Sequence, residues 1–116
     1  MNEIILKNEN GQVVTSSRDV AEKFNKNHRD VLDSIRNLTA ENSAVKNMFY
    51  LSEYTNSRGR KYNEYLMNRD GFSLLCMGFT GKEALEWKLK YIDAFNKMEE
   101  KLKTGNYLSE EEKYKL

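Results

Sequence analysis

The chain has 116 residues, 39% of them hydrophobic and none of them proline, with 19 Lys and Arg against 18 Asp and Glu for a formal charge of +1. That length supports one compact core with a helical extension and excludes two independent domains; the charge balance excludes a global polybasic signature, so nucleic-acid contact must rest on where the charges sit. The single cysteine, Cys76, lies inside the apolar run Phe72 to Phe79 and reads as a small core residue. MNEIILKNENG has no signal-peptide pattern and no apolar run nears the ~20 residues of a membrane span, so a soluble protein of a reducing cytoplasm is expected.

Glu3 to Lys7 is rich in Ile and Leu, and Gln12 to Thr15 carries Val13 and Val14. Between them Asn8-Glu9-Asn10-Gly11 tolerates positive φ, so the chain opens with a β-hairpin. Next comes TSSRDVAEKFNKNHRDVLDSIRNL, Thr15 to Leu38. Ser16 or Ser17 can cap a helix that starts near Arg18, with Asp19 favouring the positive end of its dipole. Val20, Ala21 and Phe24 share one face, and Asn25-Lys26-Asn27 breaks the pattern. Asn27 then caps a second helix with Val31, Leu32, Ile35 and Leu38 as its buried stripe. Arg29, Asp33, Arg36 and Asn37 lie on the opposite side and Lys26 at the entrance. This is the pattern of a helix-turn-helix, whose second helix enters the major groove of DNA. A helical hairpin with a solvated outer face has the same pattern.

A polar connector, Thr39 to Asn47, leaves room for a helical turn around Ala44 to Met48. Phe49 to Tyr54 and Lys61 to Met67 are aromatic-rich runs of strand length, which predicts a second hairpin. Its tip carries Arg58, Arg60 and Lys61 around Gly59, with no acid between Glu53 and Glu64. After a helix-turn-helix such a tip reads as a wing that rests on phosphates or reaches into the minor groove; an exposed, soluble loop is the plain alternative. Asn68 or Asp70 caps a short helix with Phe72, Leu74, Leu75 and Met77, ended by Gly78-Phe79. Thr80 and Glu83 then form a capping box that opens the longest helix. Ala84, Leu85, Tyr91, Ile92, Phe95, Met98 and Leu102 make its broad stripe, with Trp87 at the flank, Leu89 outside and Lys88 snorkelling along the edge. The breadth of that stripe points to pairing with a second copy through Tyr91, Phe95, Met98 and Leu102, although aromatics at helical spacing also build cores. Thr104-Gly105-Asn106 breaks the helix, and Ser109-Glu110-Glu111-Glu112 looks like the start of a truncated one.

The expected fold is therefore α+β: a winged helix-turn-helix-like domain over residues 1–79, a long helix over 80–104 that packs on it, and a tail over 105–116. No catalytic residue, cofactor site or metal site is expected. His28 is the only histidine, which leaves no metal cluster or Cys-His pair to assemble, and at the start of the second helix it points to the packed side to fill a gap or bond a backbone carbonyl.

Ser17-Arg18, Val20-Ala21, Phe24, Lys26, His28, Val31-Leu32 and Ile35 are followed by Arg58-Gly59-Arg60 and Tyr65. Then come Arg69-Asp70-Gly71-Phe72, Leu74-Leu75 and Met77-Gly78-Phe79-Thr80-Gly81. In that order these residues resemble the Rha family of phage regulatory proteins, over roughly Ile4 to Glu99. The resemblance implies a regulator from a temperate phage or an integrated prophage, acting on gene expression inside a bacterial cell, with Lys26 and His28 among its functional positions and no catalytic residue. Some members carry a further C-terminal region of antirepressor type, to which nothing before Leu116 corresponds.

The expected partner is double-stranded DNA, met by a homodimer. Arg29, Asp33, Arg36 and Asn37 face the major groove, Arg18 and Lys26 hold phosphates, and Arg58, Arg60 and Lys61 act from the wing. The alternative is a protein-interaction module that binds a host or phage repressor through the long helix without touching DNA. The acids Asp30 and Asp33 beside the reading face favour it.

Overall fold

In this computed structural model residues 3–104 and the backbone of residues 111–115 are described. Asn10 and Gly11 take φ values of 54° and 83°, the geometry of a two-residue hairpin turn, and fold β1 (Glu3–Glu9) onto β2 (Gln12–Ser16). β2 leads without a break into α1 (Ser17–Lys23), and a short turn with Asn25 at φ 54° leads to α2 (His28–Glu41). A 3-10 helix, Ser43–Met48, fills the place of the expected turn before β3 (Phe49–Thr55) and β4 (Lys61–Met67), which pair in register from Phe49 opposite Met67 to Thr55 opposite Lys61. α3 (Arg69–Cys76) and α4 (Lys82–Thr104) follow. The pairs join into one antiparallel sheet, with β4 also against β2 and β5 (Glu111–Lys115) against β1, in the order β3-β4-β2-β1-β5. The architecture is α+β, as expected.

The core is one cluster to which the first hairpin and all four helices contribute. At its centre Tyr91 packs on Phe72 at 4.6 Å and on Phe24 at 5.9 Å, and Phe24 meets Phe79 at 5.0 Å, so aromatic rings tie α1, α3 and α4 together. A buried ion pair crosses the same region. Lys23 Nζ donates to Asp19 Oδ1 at 2.9 Å, and the Tyr91 hydroxyl donates to Asp19 Oδ2 at 2.6 Å. Burial draws the Lys23 ammonium down, but Asp19 and then Glu22 outweigh it and hold its pKa above the ordinary 10.5; burial and then Asp19 push the Tyr91 phenol well above 10.0. At Gly71 a Cβ would lie 2.6 Å from the Met48 carbonyl oxygen, so only glycine lets α3 pass the entry to β3 this closely.

Four expectations need correction. Tyr91, Phe95 and Met98, expected to dimerise, are buried in the chain's own core, and Leu102 packs half-buried against it; filling the centre of a small domain leaves them no surface to offer. α4 begins at Lys82 behind Gly81 at φ 101°, one residue later than a cap at Thr80 would place it. In α2 only Val31 and Ile35 of the stripe are buried, Leu32 and Leu38 being half-exposed, while Met77 of the short helix faces solvent. Over Glu111–Lys115 the expected helix start is a strand, with Ile4 opposite Tyr114, because the outer edge of β1 offers unpaired backbone groups that no local pattern reveals. Gly105, Asn106, Ser109 and Glu110 of the expected break and helix start lie outside the described residues.

Candidate nucleic-acid interface

The Ser16 side chain accepts the Asp19 N–H at 3.0 Å, and this cap turns the next residue, Ser17, inward. Ser17 Oγ accepts the Tyr65 N–H of β4 at 2.9 Å and lies 2.8 Å from His28 Nε2. The hydroxyl proton is then free to be donated to Nε2, which sets a neutral ring protonated at Nδ1. Burial, and then the charge of Arg18, lower the His28 pKa below 6.5, in keeping with that neutral form. A serine and a histidine at this distance resemble a nucleophile and its base, yet Ser17 is fully buried and its oxygen already holds a backbone N–H. Their role is to latch the first residue of α2 to α1 and β4. His28 thus sits on the packed side as expected, but its partner is a hydroxyl rather than a backbone carbonyl.

Outside the latch, the Arg18 guanidinium lies 3.7 Å above the ring of Tyr54, which stacks on Tyr62 across the hairpin at 5.7 Å and meets the edge of His28 at 6.3 Å. Tyr54 and Tyr62 are opposite each other one pair before the end of the hairpin ladder. These contacts bring together α1, the start of α2 and the outer half of the β3–β4 hairpin. The tip beyond them is held by Asn56, whose Oδ1 accepts the N–H groups of Arg58 at 3.0 Å and Arg60 at 2.9 Å, while Gly59 at φ 82° completes the turn. Arg58, Arg60 and Lys61 are exposed on this fixed loop.

On α2, Asn27 Oδ1 accepts the Arg29 N–H at 2.9 Å, and Arg29, Asp33, Arg36 and Asn37 are all exposed. Arg36 is not free: its Nη1 lies 3.2 Å from Asp33 Oδ1. Lys26 leaves the group, its ammonium standing 5.3 Å from the Phe79 ring and so turned towards the α3–α4 loop. Glu64, an acid that the sequence pattern does not single out, is buried next to the basic cluster; burial raises its pKa above 4.5, opposed by Arg18 and then Lys7. Tyr54, Tyr62 and Ser17 were also missed as parts of the site. Their only local signal is the tyrosine at matched positions of two facing strands, which becomes meaningful once the register is fixed.

What the face offers is guanidinium donors, aromatic planes and a fixed basic loop. Among the described residues no group of His, Cys, Asp and Glu could hold a metal ion, and no helix is long and apolar enough to cross a membrane.

The sequence pattern of the family described as phage regulatory protein Rha matches residues 15–100. An uncharacterized protein of Haemophilus influenzae is 36% identical over 104 residues, 86% of this chain and 60% of its own length. An uncharacterized 22.8 kDa protein from the gp15-gp3 intergenic region of Salmonella phage P22 is 38% identical over 96 residues, 80% of this chain and 48% of its own length. The SPbeta prophage-derived protein YoqD of Bacillus subtilis, named as a candidate antirepressor, is 32% identical over 99 residues, 82% of this chain and 39% of its own length. The chain thus spans between about two fifths and three fifths of these relatives. No solved structure matches it.

Proposed function

The chain belongs to the family of phage regulatory protein Rha, and from that premise we propose that it binds double-stranded DNA as a winged helix-turn-helix regulator. In this reading α2 enters the major groove and the β3–β4 hairpin is the wing. The observation that carries it is the stack of Arg18 on Tyr54 and Tyr62, which joins the helix pair to the basic hairpin tip. Stacking on a ring leaves the in-plane N–H donors of a guanidinium free and already oriented for a phosphate. Arg58, Arg60 and Lys61 supply further phosphate contacts from the tip. The paired Asp33 and Arg36 suit base reading, arginine towards guanine and the carboxylate towards the cytosine amine, while repelling phosphate. Affinity then comes from the wing and the entrance of α2, and selectivity from its outer face. Lys26, turned towards Phe79, contributes less.

The test changes Arg58, Arg60 and Lys61 together to alanine and measures binding to random and prophage-derived duplexes over a salt series. Affinity should fall on every sequence, and the slope of log K against log salt should become shallower by about 0.9 for each phosphate contact removed. Unchanged affinity and slope would refute the wing. A second reading, a module that binds a host or phage repressor without DNA contact, is favoured by the name of the Bacillus relative and by the mixed charge of α2. A chain that ignores duplex DNA at about 50 mM salt, where phosphate contacts are strong, while binding a purified phage repressor would establish it instead.

A further inference from the structure

α4 buries Tyr91, Ala94, Phe95 and Met98 and leaves a different face in solvent. On that face Lys82, Leu85, Leu89, Ile92, Asn96 and Glu99 follow one another at alternating spacings of three and four residues, the seam of a coiled coil. Leu85, Leu89 and Ile92 are 56%, 58% and 44% exposed, an apolar strip without a partner among the described residues. The lower end is polar but already satisfied: Arg69 of α3 donates to Asn96 Oδ1 at 2.7 Å and to both carboxylate oxygens of Glu99. Covering this end therefore strands neither the Asn96 carbonyl oxygen nor the Glu99 carboxylate.

The ends of the seam decide what fits it. A parallel copy would set Lys82 against Lys82 and Glu99 against Glu99. An antiparallel copy centred between Lys90 and Tyr91 sets Leu89 against Ile92, Leu85 against Asn96 and Lys82 against Glu99, so each Lys82 meets the Arg69–Glu99 pair of the other copy and a carboxylate instead of a second Lys82. Of the acids along one flank, Glu86, Asp93 and Glu100, the first two each have a lysine four residues on, with Lys97 Nζ 2.9 Å from Asp93 Oδ2, which offsets much of the charge of that flank. The seam is about 26 Å long at the rise of an α-helix. We propose that the chain pairs with a second copy through this face, its α4 helices antiparallel about a two-fold axis. The pairing does not depend on the DNA reading. It moves the interface from the core residues Tyr91, Phe95 and Met98 to the adjoining, exposed part of the same apolar arc.

Sedimentation of the full chain over a dilution series should show a dimer that dissociates to monomer, and Leu89→Glu should be monomeric throughout with an unchanged circular dichroism spectrum, since Leu89 is exposed. Oxidising a mixture of Leu89→Cys and Ile92→Cys chains should cross-link unlike chains, whereas Leu85→Cys alone should not cross-link, its two copies standing about 16 Å apart along the axis. Cys76 does not compete, being buried with its thiol pushed up to about 12. A chain that is monomeric at every concentration, a Leu89→Glu variant that still pairs, or self-cross-linking of Leu85→Cys would overturn the proposal. The first result would leave this face to another occupant, such as the further length of a longer relative.

Discussion

α2 and α4 obey the same rule and leave opposite surfaces. Each buries a narrow stripe, Val31 and Ile35 in α2, Tyr91, Phe95 and Met98 in α4, and each keeps another side in solvent. On α2 that side is Arg29, Asp33, Arg36 and Asn37, charged and amide groups suited to a polar partner; on α4 it is Leu85, Leu89 and Ile92, suited to an apolar one. Core packing decides which face of a helix is spent. The chemistry of the unspent face then separates a surface for nucleic acid from a surface for protein.

The sharpest test of this division sets buried against free positions on each helix. Phe95→Ala should cost about 3–5 kcal/mol and Ile35→Ala about 2–5 kcal/mol by denaturant unfolding. Leu89→Ala, measured at a concentration where chains are monomeric, should stay within about 0.5 kcal/mol. A large loss at Leu89 would mean that its face is packed within the chain after all. The two ion pairs make the next contrast. Asp19→Ala leaves Lys23 buried without its partner and removes the acceptor of the Tyr91 hydroxyl, so about 3–5 kcal/mol should be lost; Asp33→Ala breaks an exposed pair and should change stability by under about 1 kcal/mol.

The smallest expected effect is at the latch. The His28 pKa is lower folded than unfolded, so a proton favours the unfolded chain: stability is complete above about 6.5 and declines as the pH falls below it. His28→Gln should flatten that decline relative to the parent when unfolding midpoints at neutral and mildly acidic pH are compared. Identical slopes would show that the ring does not titrate on unfolding. Reversal of the slope would contradict the assignment of a neutral ring.

Much of this was legible along the chain. Asn10-Gly11 announced the first hairpin, the pair Ser16-Ser17 and then Asn27 the starts of α1 and α2, and the paired aromatic runs the second hairpin. The exposed positions of α2 and the basic tip were read correctly as solvent-facing, because charge and amphipathic period are local properties. The errors came where a choice among surfaces depended on the rest of the fold. Tyr91, Phe95 and Met98 share a wide apolar arc with Leu85 and Ile92, and nothing in the period says which part of it a small core will take. Arg18 and Lys26 look alike as basic residues of the helix pair. Only packing draws the first to Tyr54 and the second to Phe79.

By itself, then, the sequence determined the kinds and order of the elements from β1 to α4, the family, and the solvent-facing side of α2 and of the hairpin tip. Capping, turn geometry and hydrophobic period act over a few residues and are written where they act. The tertiary structure alone decided that Ser17 and Tyr65 lock His28, that β5 closes the edge of β1, and which side of α4 stays free. Each of these joins residues far apart in the chain, and such pairings are settled by competition for one small core and one sheet edge rather than by any neighbour in sequence.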